Sequence, residues 1–240
     1  MVSLDCEHPM ALATGDLYDT SLARPSDRRR ARGGLPATVL TFNITGATDG
    51  SLLPQGYGDN VASLTNGTFS YGAGGGFTPD VTVDYLGSGG QTDLNFWANG
   101  FNDLTNVVEY EPDGESGYSI TFTAAAGKTV SIDSFDLGNY GEAVTLPRLW
   151  IVDGAGTVLF DRPALSIANS NAPHLSFTPG VTATTLRISL DLTGLGGNSD
   201  NMGLDNIQFR QTTTAVPEPA TLATLGLGLA AILRRRRRSA

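Results

Sequence analysis

Apolar residues return at every second position in one short run after another along this chain, and only the final stretch departs from that rhythm. Successive side chains of a strand point to opposite faces, so the pattern describes half-buried β-strands. Val39-Leu40-Thr41-Phe42-Asn43-Ile44 sets Leu40, Phe42 and Ile44 on one face. Tyr118-Ser119-Ile120-Thr121-Phe122-Thr123 does the same with Tyr118, Ile120 and Phe122. Further runs lie at 68–71, 80–85, 95–98, 129–137, 148–152, 157–160, 174–177, 185–190 and 204–209. Glycine, Asn and Asp punctuate them, and Asp153-Gly154-Ala155-Gly156 reads as a hairpin turn. The pattern predicts an all-β fold: a single β-sandwich of jelly-roll type over residues 36–211, followed by a C-terminal hydrophobic helix.

Composition supports this reading. Glycine makes up 30 of 240 residues and charged residues only 16%, against usual shares of about 7% and about 25%. Between Pro36 and Gln211 stand 18 acidic and five basic residues, a net charge of −13. Such a body argues against nucleic acid and anionic membranes as partners. It suits calcium binding, or solubility alone. Cys6 is the only cysteine, so no intramolecular disulfide forms and the core must supply stability.

The closing residues follow another logic. Val216-Pro217-Glu218-Pro219 precedes an uncharged run to Leu233 and then five arginines, Arg234, Arg235, Arg236, Arg237 and Arg238. Pro219 to Leu233 is 15 residues, about 22 Å as a helix, short against a hydrocarbon core of about 30 Å. Arginines after an apolar stretch hold that end on the cytoplasmic side and place the body outside. This tail resembles the PEP-CTERM sorting signal of Gram-negative, exopolysaccharide-producing bacteria. The resemblance implies recognition and removal by an exosortase, a membrane protease-transpeptidase, with only transient residence in the inner membrane. The tail is then an address rather than part of the working fold, and residues 212–240 form a sorting segment that begins with a short polar spacer.

An exported chain should open with a basic stretch and an apolar h-region. Residues 1–35 contain neither in order: the longest apolar stretch, Pro9 to Ala13, runs into Gly15 and Asp16. Arg28-Arg29-Arg30 comes late and precedes no h-region. The expectation is that the true leader differs from this start and that residues 1–35 are disordered.

Two segments echo each other, Gly56-Tyr57-Gly58-Asp59-Asn60-Val61 and Gly100-Phe101-Asn102-Asp103-Leu104. Each offers an aromatic ring and a carboxylate, suited to stacking on a sugar, to ligating Ca²⁺, or to capping an ordinary turn. Tyr57, Asp59, Trp97, Phe101 and Asp103 are the candidate ligand-binding residues. Trp97 stands among asparagines and is either a stacking ring or a core-edge residue, whereas Trp150, between Leu149 and Ile151, reads as core. Asn198, Asp200, Asn201 and Asp205 place four oxygen donors within eight positions among glycines and are the Ca²⁺ candidates, although the spacing is not that of an EF-hand. Glu109 to Glu115 reads as a solvated acidic loop.

The strand Gly203-Leu204-Asp205-Asn206-Ile207-Gln208-Phe209 resembles the closing strand of galactose-binding-like and carbohydrate-binding jelly rolls. That resemblance implies a structural calcium held with help from the strand's acidic residue.

Catalytic signatures are few. No Gly-x-Ser-x-Gly elbow, HExxH, CxxC or phosphate loop occurs, and His174 beside Pro173 reads as structural. The expectation is an exported, non-catalytic surface or exopolysaccharide-matrix protein that binds carbohydrate. The alternative is a secreted polysaccharide hydrolase using two carboxylates.

Overall fold

A computed structural model describes residues 36–71, 76–90, 94–111 and 114–213. The expected disordered segment 1–35, the sorting motif and its hydrophobic helix lie outside the described residues. Among the described residues no helix is long and apolar enough to cross a membrane.

Among the described residues fifteen strands run in order as β1 (Thr38–Leu40), β2 (Ser51–Leu52), β3 (Thr65–Asn66), β4 (Phe69–Ser70) and β5 (Val81–Gly87), then β6 (Asn95–Trp97), β7 (Val107–Glu109), β8 (Gly117–Ala124), β9 (Lys128–Asn139) and β10 (Val144–Asp153), and finally β11 (Val158–Ile167), β12 (Leu175–Phe177), β13 (Val181–Ala183), β14 (Thr185–Asp191) and β15 (Met202–Thr213). One sheet has five strands in the order β11-β10-β14-β8-β5. The larger has eight: β12-β9-β15-β7-β6-β2 in line, with β1 on β15 and β13 on β9. A separate hairpin joins β3 and β4. The fold is all-β, and its two principal sheets form the expected sandwich of jelly-roll type.

Alternation decides what lies between the sheets. Leu149 and Ile151 of β10, Ile188 of β14, and Ile120 and Phe122 of β8 share one core with Ile132 and Phe135 of β9 and Ile207 and Phe209 of β15. The Phe122 and Phe209 rings stand 4.9 Å apart across the sandwich. Each such side chain removed from water contributes about 1.5–3 kcal/mol. At the expected hairpin turn, the Asp153 carboxylate accepts the amides of Ala155 and Thr157 and so closes the link from β10 to β11.

Three departures have physical reasons. The first strand stops at Leu40, because Phe42 takes a positive φ of 49° and donates its amide to the Tyr57 hydroxyl instead of a neighbouring strand. Ile44 keeps only an isolated bridge to Phe69. Strands β2, β3, β7 and β13 have two or three residues each, too few for alternation to reveal them. The last strand runs on through the expected spacer: Thr212 and Thr213 still pair with Thr129 and Lys128.

Candidate functional site

Three places combine accessible volume with chemically useful side chains. The first lies on the outer face of the larger sheet. Phe96, Val108 and Leu204 face the core, so Trp97, Val107 and Gly203 face outward by alternation. The loop after β6 lies down on that outer face, and Phe101, Leu104 and Val107 form a second small apolar cluster against Trp97. Gly138 and Gly203 are partners in the β9–β15 ladder and make room for the loop. A Cβ on Gly138 would come within 2.6 Å of the Phe101 carbonyl oxygen, and one on Gly203 within 2.8 Å of the Phe101 ring. Asn102 and Asn139 hold the loop down, since the Asn102 amide donates to the Asn139 carbonyl and the Asn139 amide to Asn102 Oδ1. Beside this loop a cavity of about 60 Å³ is lined by Trp97, Phe101, Glu111, Tyr140, Asp200 and Asn201.

The second place is a cavity of about 570 Å³. Thr41, Asn43 and Ser70 line one part of it, and Asp103 to Asn106, His174, Asp205 and Asn206 the rest. A β-bulge builds this wall. The β9–β15 register shifts between Asp205 and Gln208, and Asn206 adopts a φ of 49°, which re-aims both side chains out of the regular ladder. The Asn206 amide donates to Asp205 Oδ1, and its side-chain nitrogen donates to Asp136 Oδ2 at 2.9 Å. His174 bridges two carboxylates, with Nδ1 2.7 Å from Asp103 and Nε2 3.6 Å from Asp136.

Environment sets these acids apart. Burial pushes the Asp205 carboxyl up to about 8, with the Asp136 charge adding to the shift and the Asn206 amide opposing it. The backbone amide and the ring of His174 hold Asp103 below the usual carboxylate range. One cavity therefore holds an acid that keeps its proton at neutral pH and another that stays ionised.

The third place is a groove of about 260 Å³ on the outer face of the five-stranded sheet. Strand register aligns Asp161, Trp150, Ser189, Ser119 and Leu86 in one row across all five strands. The serines keep the middle of the row low between Trp150 and Leu86. Arg187 and Thr121 occupy the next row, which ends at Asp84. Arg148 binds Asp161 through two nitrogens at 2.8 and 3.1 Å and lies 5.0 Å from the Trp150 ring centroid. That pairing orients the indole, which also lines the groove.

The residues singled out from sequence are distributed among these places and the core. Tyr57 is fully buried, and its ring packs 5.3 to 5.4 Å from those of Phe42, Phe69 and Tyr71. Asp59 caps the Val83 amide at 2.6 Å, so the Gly56–Val61 segment acts as an anchor for β5. Trp97 and Phe101 meet Asp200 and Asn201 at the small cavity, while Asp103 meets Asp205 at the cavity of about 570 Å³. The four calcium candidates are thereby divided: Asn201 donates to Asn198 beside the small cavity, and Asp205 stands in the bulge. Among the described residues no group of three or more His, Cys, Asp or Glu side chains is arranged to hold a metal.

Two readings need correction. Glu109 is not part of a solvated loop but a strand residue only 1% exposed. Trp150 is half-buried on the outer face rather than in the core. The alternation of Arg148-Leu149-Trp150-Ile151 carried the second signal, because Leu149 and Ile151 point inward and their neighbours cannot. The row of Trp150, Ser189, Ser119 and Leu86 was missed because it joins four strands distant in sequence.

Residues 215–238 match the PEP-CTERM protein-sorting motif. No curated protein matches the chain. Among solved structures, the N-terminal cellulose-binding domain of Cellulomonas fimi β-1,4-glucanase C is similar at 15% identity and a TM-score of 0.32, over 58% of this chain and 98% of that one. A family 35 carbohydrate-binding module from an environmental isolate is similar at 14% identity and a TM-score of 0.28, over 55% of this chain and 98% of that module. CpGH89CBM32-6 from Clostridium perfringens shows 15% identity and a TM-score of 0.28, over 56% and 94% of the two chains.

Proposed function

We propose that this chain is an exported, non-catalytic protein of the surface or exopolysaccharide matrix of a Gram-negative bacterium. Its sandwich binds a polysaccharide along the groove on the five-stranded sheet. Export rests on the sorting motif at residues 215–238. In this reading an exosortase-like membrane protease removes the tail after brief residence in the inner membrane.

One observation carries the binding reading, the row of Trp150, Ser189, Ser119 and Leu86 across four adjacent strands. Three strand spacings cover about 14 Å, enough for a short oligosaccharide lying across the sheet. The indole supplies an apolar face for a sugar ring, and the serine hydroxyls and Arg187 supply hydrogen bonds. The body's net charge of −13 directs the choice to neutral glycans.

Affinity electrophoresis against neutral and acidic polysaccharides, followed by calorimetry on the best ligand, tests this. Trp150→Ala is expected to weaken binding at least tenfold with little change in melting temperature. Equal binding by the variant and the parent would remove the groove from the account.

The hydrolase reading has one observation in its favour, the protonated Asp205 sharing a cavity with the ionised Asp103. Acid and base assignments are made by such divergent environments. Release of reducing ends from the bound glycan, lost in both Asp205→Asn and Asp103→Asn, would establish it in place of the binding role.

A further inference from the structure

Among the described residues, Glu109 is the carboxyl least explained by its surroundings. It sits on β7 opposite Asn95 and is 1% exposed, and neither carboxyl oxygen has a partner of ordinary hydrogen-bond geometry, although the Glu111 side chain is close enough to share its proton. Leaving a buried polar group without a partner costs on the order of 1–3 kcal/mol, more for a charged one. An orphaned carboxyl of this kind in a native fold calls for something that satisfies it.

Its surroundings name the chemistry. Glu111 and Asp200 interact electrostatically with Glu109, and both line the small cavity beside the Phe101 loop. The remaining walls are aromatic. Tyr140 stands 6.0 Å from Trp97 and 5.6 Å from Phe101, centroid to centroid. The close packing of Tyr140 is built in, since a Cβ on Gly100 would come within 2.5 Å of its ring. Rings on several sides with carboxylates behind them fit a cation that carries carbon.

We propose that this cavity binds an alkylammonium head, with Trp97, Phe101 and Tyr140 around it, Glu111 and Asp200 on its wall taking up the charge, and the buried Glu109 behind those two acids. Aromatic faces attract such cations through the ring quadrupole, and most strongly where water is excluded. A volume of about 60 Å³ admits an amine with a carbon or two and leaves the rest of the molecule outside. A bare metal ion is the poorer fit, because it demands converging oxygen ligands and half of this lining is ring carbon. Free alkyl amines and amino sugars both present this head.

Binding draws the Glu109 proton into solvent. Burial, reinforced by the side-chain hydrogen bond with Glu111 and by the charges of Glu111 and Asp200, pushes its carboxyl up to about 9, and an ammonium held against Glu111 and Asp200 favours the ionised form. Across the sandwich the Tyr118 hydroxyl also feels Glu109, but its own shift is upward and it remains protonated. Complex formation near pH 7.5 therefore releases up to one proton per site.

Calorimetry on the full chain at fixed ionic strength tests this, with methylammonium, glucosamine, N-acetylglucosamine, calcium chloride and sodium chloride as titrants. Methylammonium should saturate, N-acetylglucosamine and the two salts should not, and the heat should differ between phosphate and HEPES buffers, neither of which presents a primary ammonium, through the released proton. Saturation by glucosamine as well identifies an amino sugar as the natural source; its failure identifies a free amine. Glu109→Gln should weaken methylammonium at least tenfold, and Glu111→Gln, at an exposed position, should weaken it in the same direction without endangering the fold. Absence of saturation, saturation by calcium with displacement of methylammonium, or unchanged affinity in both variants would each overturn the proposal. Repeating the two sugar titrations on the Trp150→Ala variant separates these outcomes from whatever the Trp150 groove binds.

Discussion

At the scale of single residues, two buried carboxyls dominate. Asp205 and Glu109 carry raised pKa values, about 8 and about 9, with burial the main cause of each. An unfolded chain ionises both near pH 4. Between about pH 4 and pH 8 the native state therefore holds two protons that the unfolded state has lost. Stability from these groups is fully present below pH 4 and falls as pH rises through that window. The slope is about 1.4 kcal/mol per pH unit for each group. Asp205→Asn is expected to remove roughly half of it and the double variant with Glu109→Gln nearly all of it. Urea unfolding at pH 5, 6 and 7.5 in amine-free buffer measures this, and an unaltered slope would contradict the assignment. Tyr57 teaches a related lesson. A loop tyrosine flanked by glycines became the hub of a buried ring cluster because its hydroxyl bonds to the Phe42 amide and the Ser70 carbonyl.

At the scale of elements, the paired glycines of β9 and β15 let an irregular loop lie flat on a sheet. A methyl group on Gly203 would come within 2.6 Å of Val107 Cγ2 and 2.8 Å of the Phe101 ring. Gly203→Ala is expected to cost about 1–3 kcal/mol through overpacking, and to weaken the small cavity because Phe101 walls it. Gly197→Ala has nothing within 4 Å and serves as a comparison expected to be near neutral. Denaturation midpoints of the two variants decide the matter; equal midpoints would mean that the loop does not depend on the close approach. The bulge in β15 is the other local device. Without the extra residue at Asn206, regular pleating would not turn Asp205 and Asn206 together toward His174 and Asp103.

At the scale of the whole molecule, the sandwich is closed by facing aromatic and branched side chains. Phe209→Ala should cost about 3–5 kcal/mol by emptying the contact with Phe122, a loss readable in thermal melts. The tail is tested separately. Mass spectrometry of the protein from its native host should find a C-terminus without Arg234 to Arg238, and an intact arginine cluster would end the processing account. Fold class was legible because alternation and turn chemistry are local, and so recur in runs such as 118–123 and 185–190 whatever surrounds them. The sorting motif was legible for the same reason, since its three parts are contiguous in the chain. The groupings of side chains were not. Asp103 and Asp205, Glu109 and Asp200, and Trp150 and Ser189 are each far apart in sequence and become neighbours only through antiparallel register and one bulge. Sequence by itself thus determined the β architecture and the address, both encoded by neighbours along the chain. Only the tertiary structure decided which acids are desolvated and which rings face a cavity, because burial and register belong to pairings between distant strands.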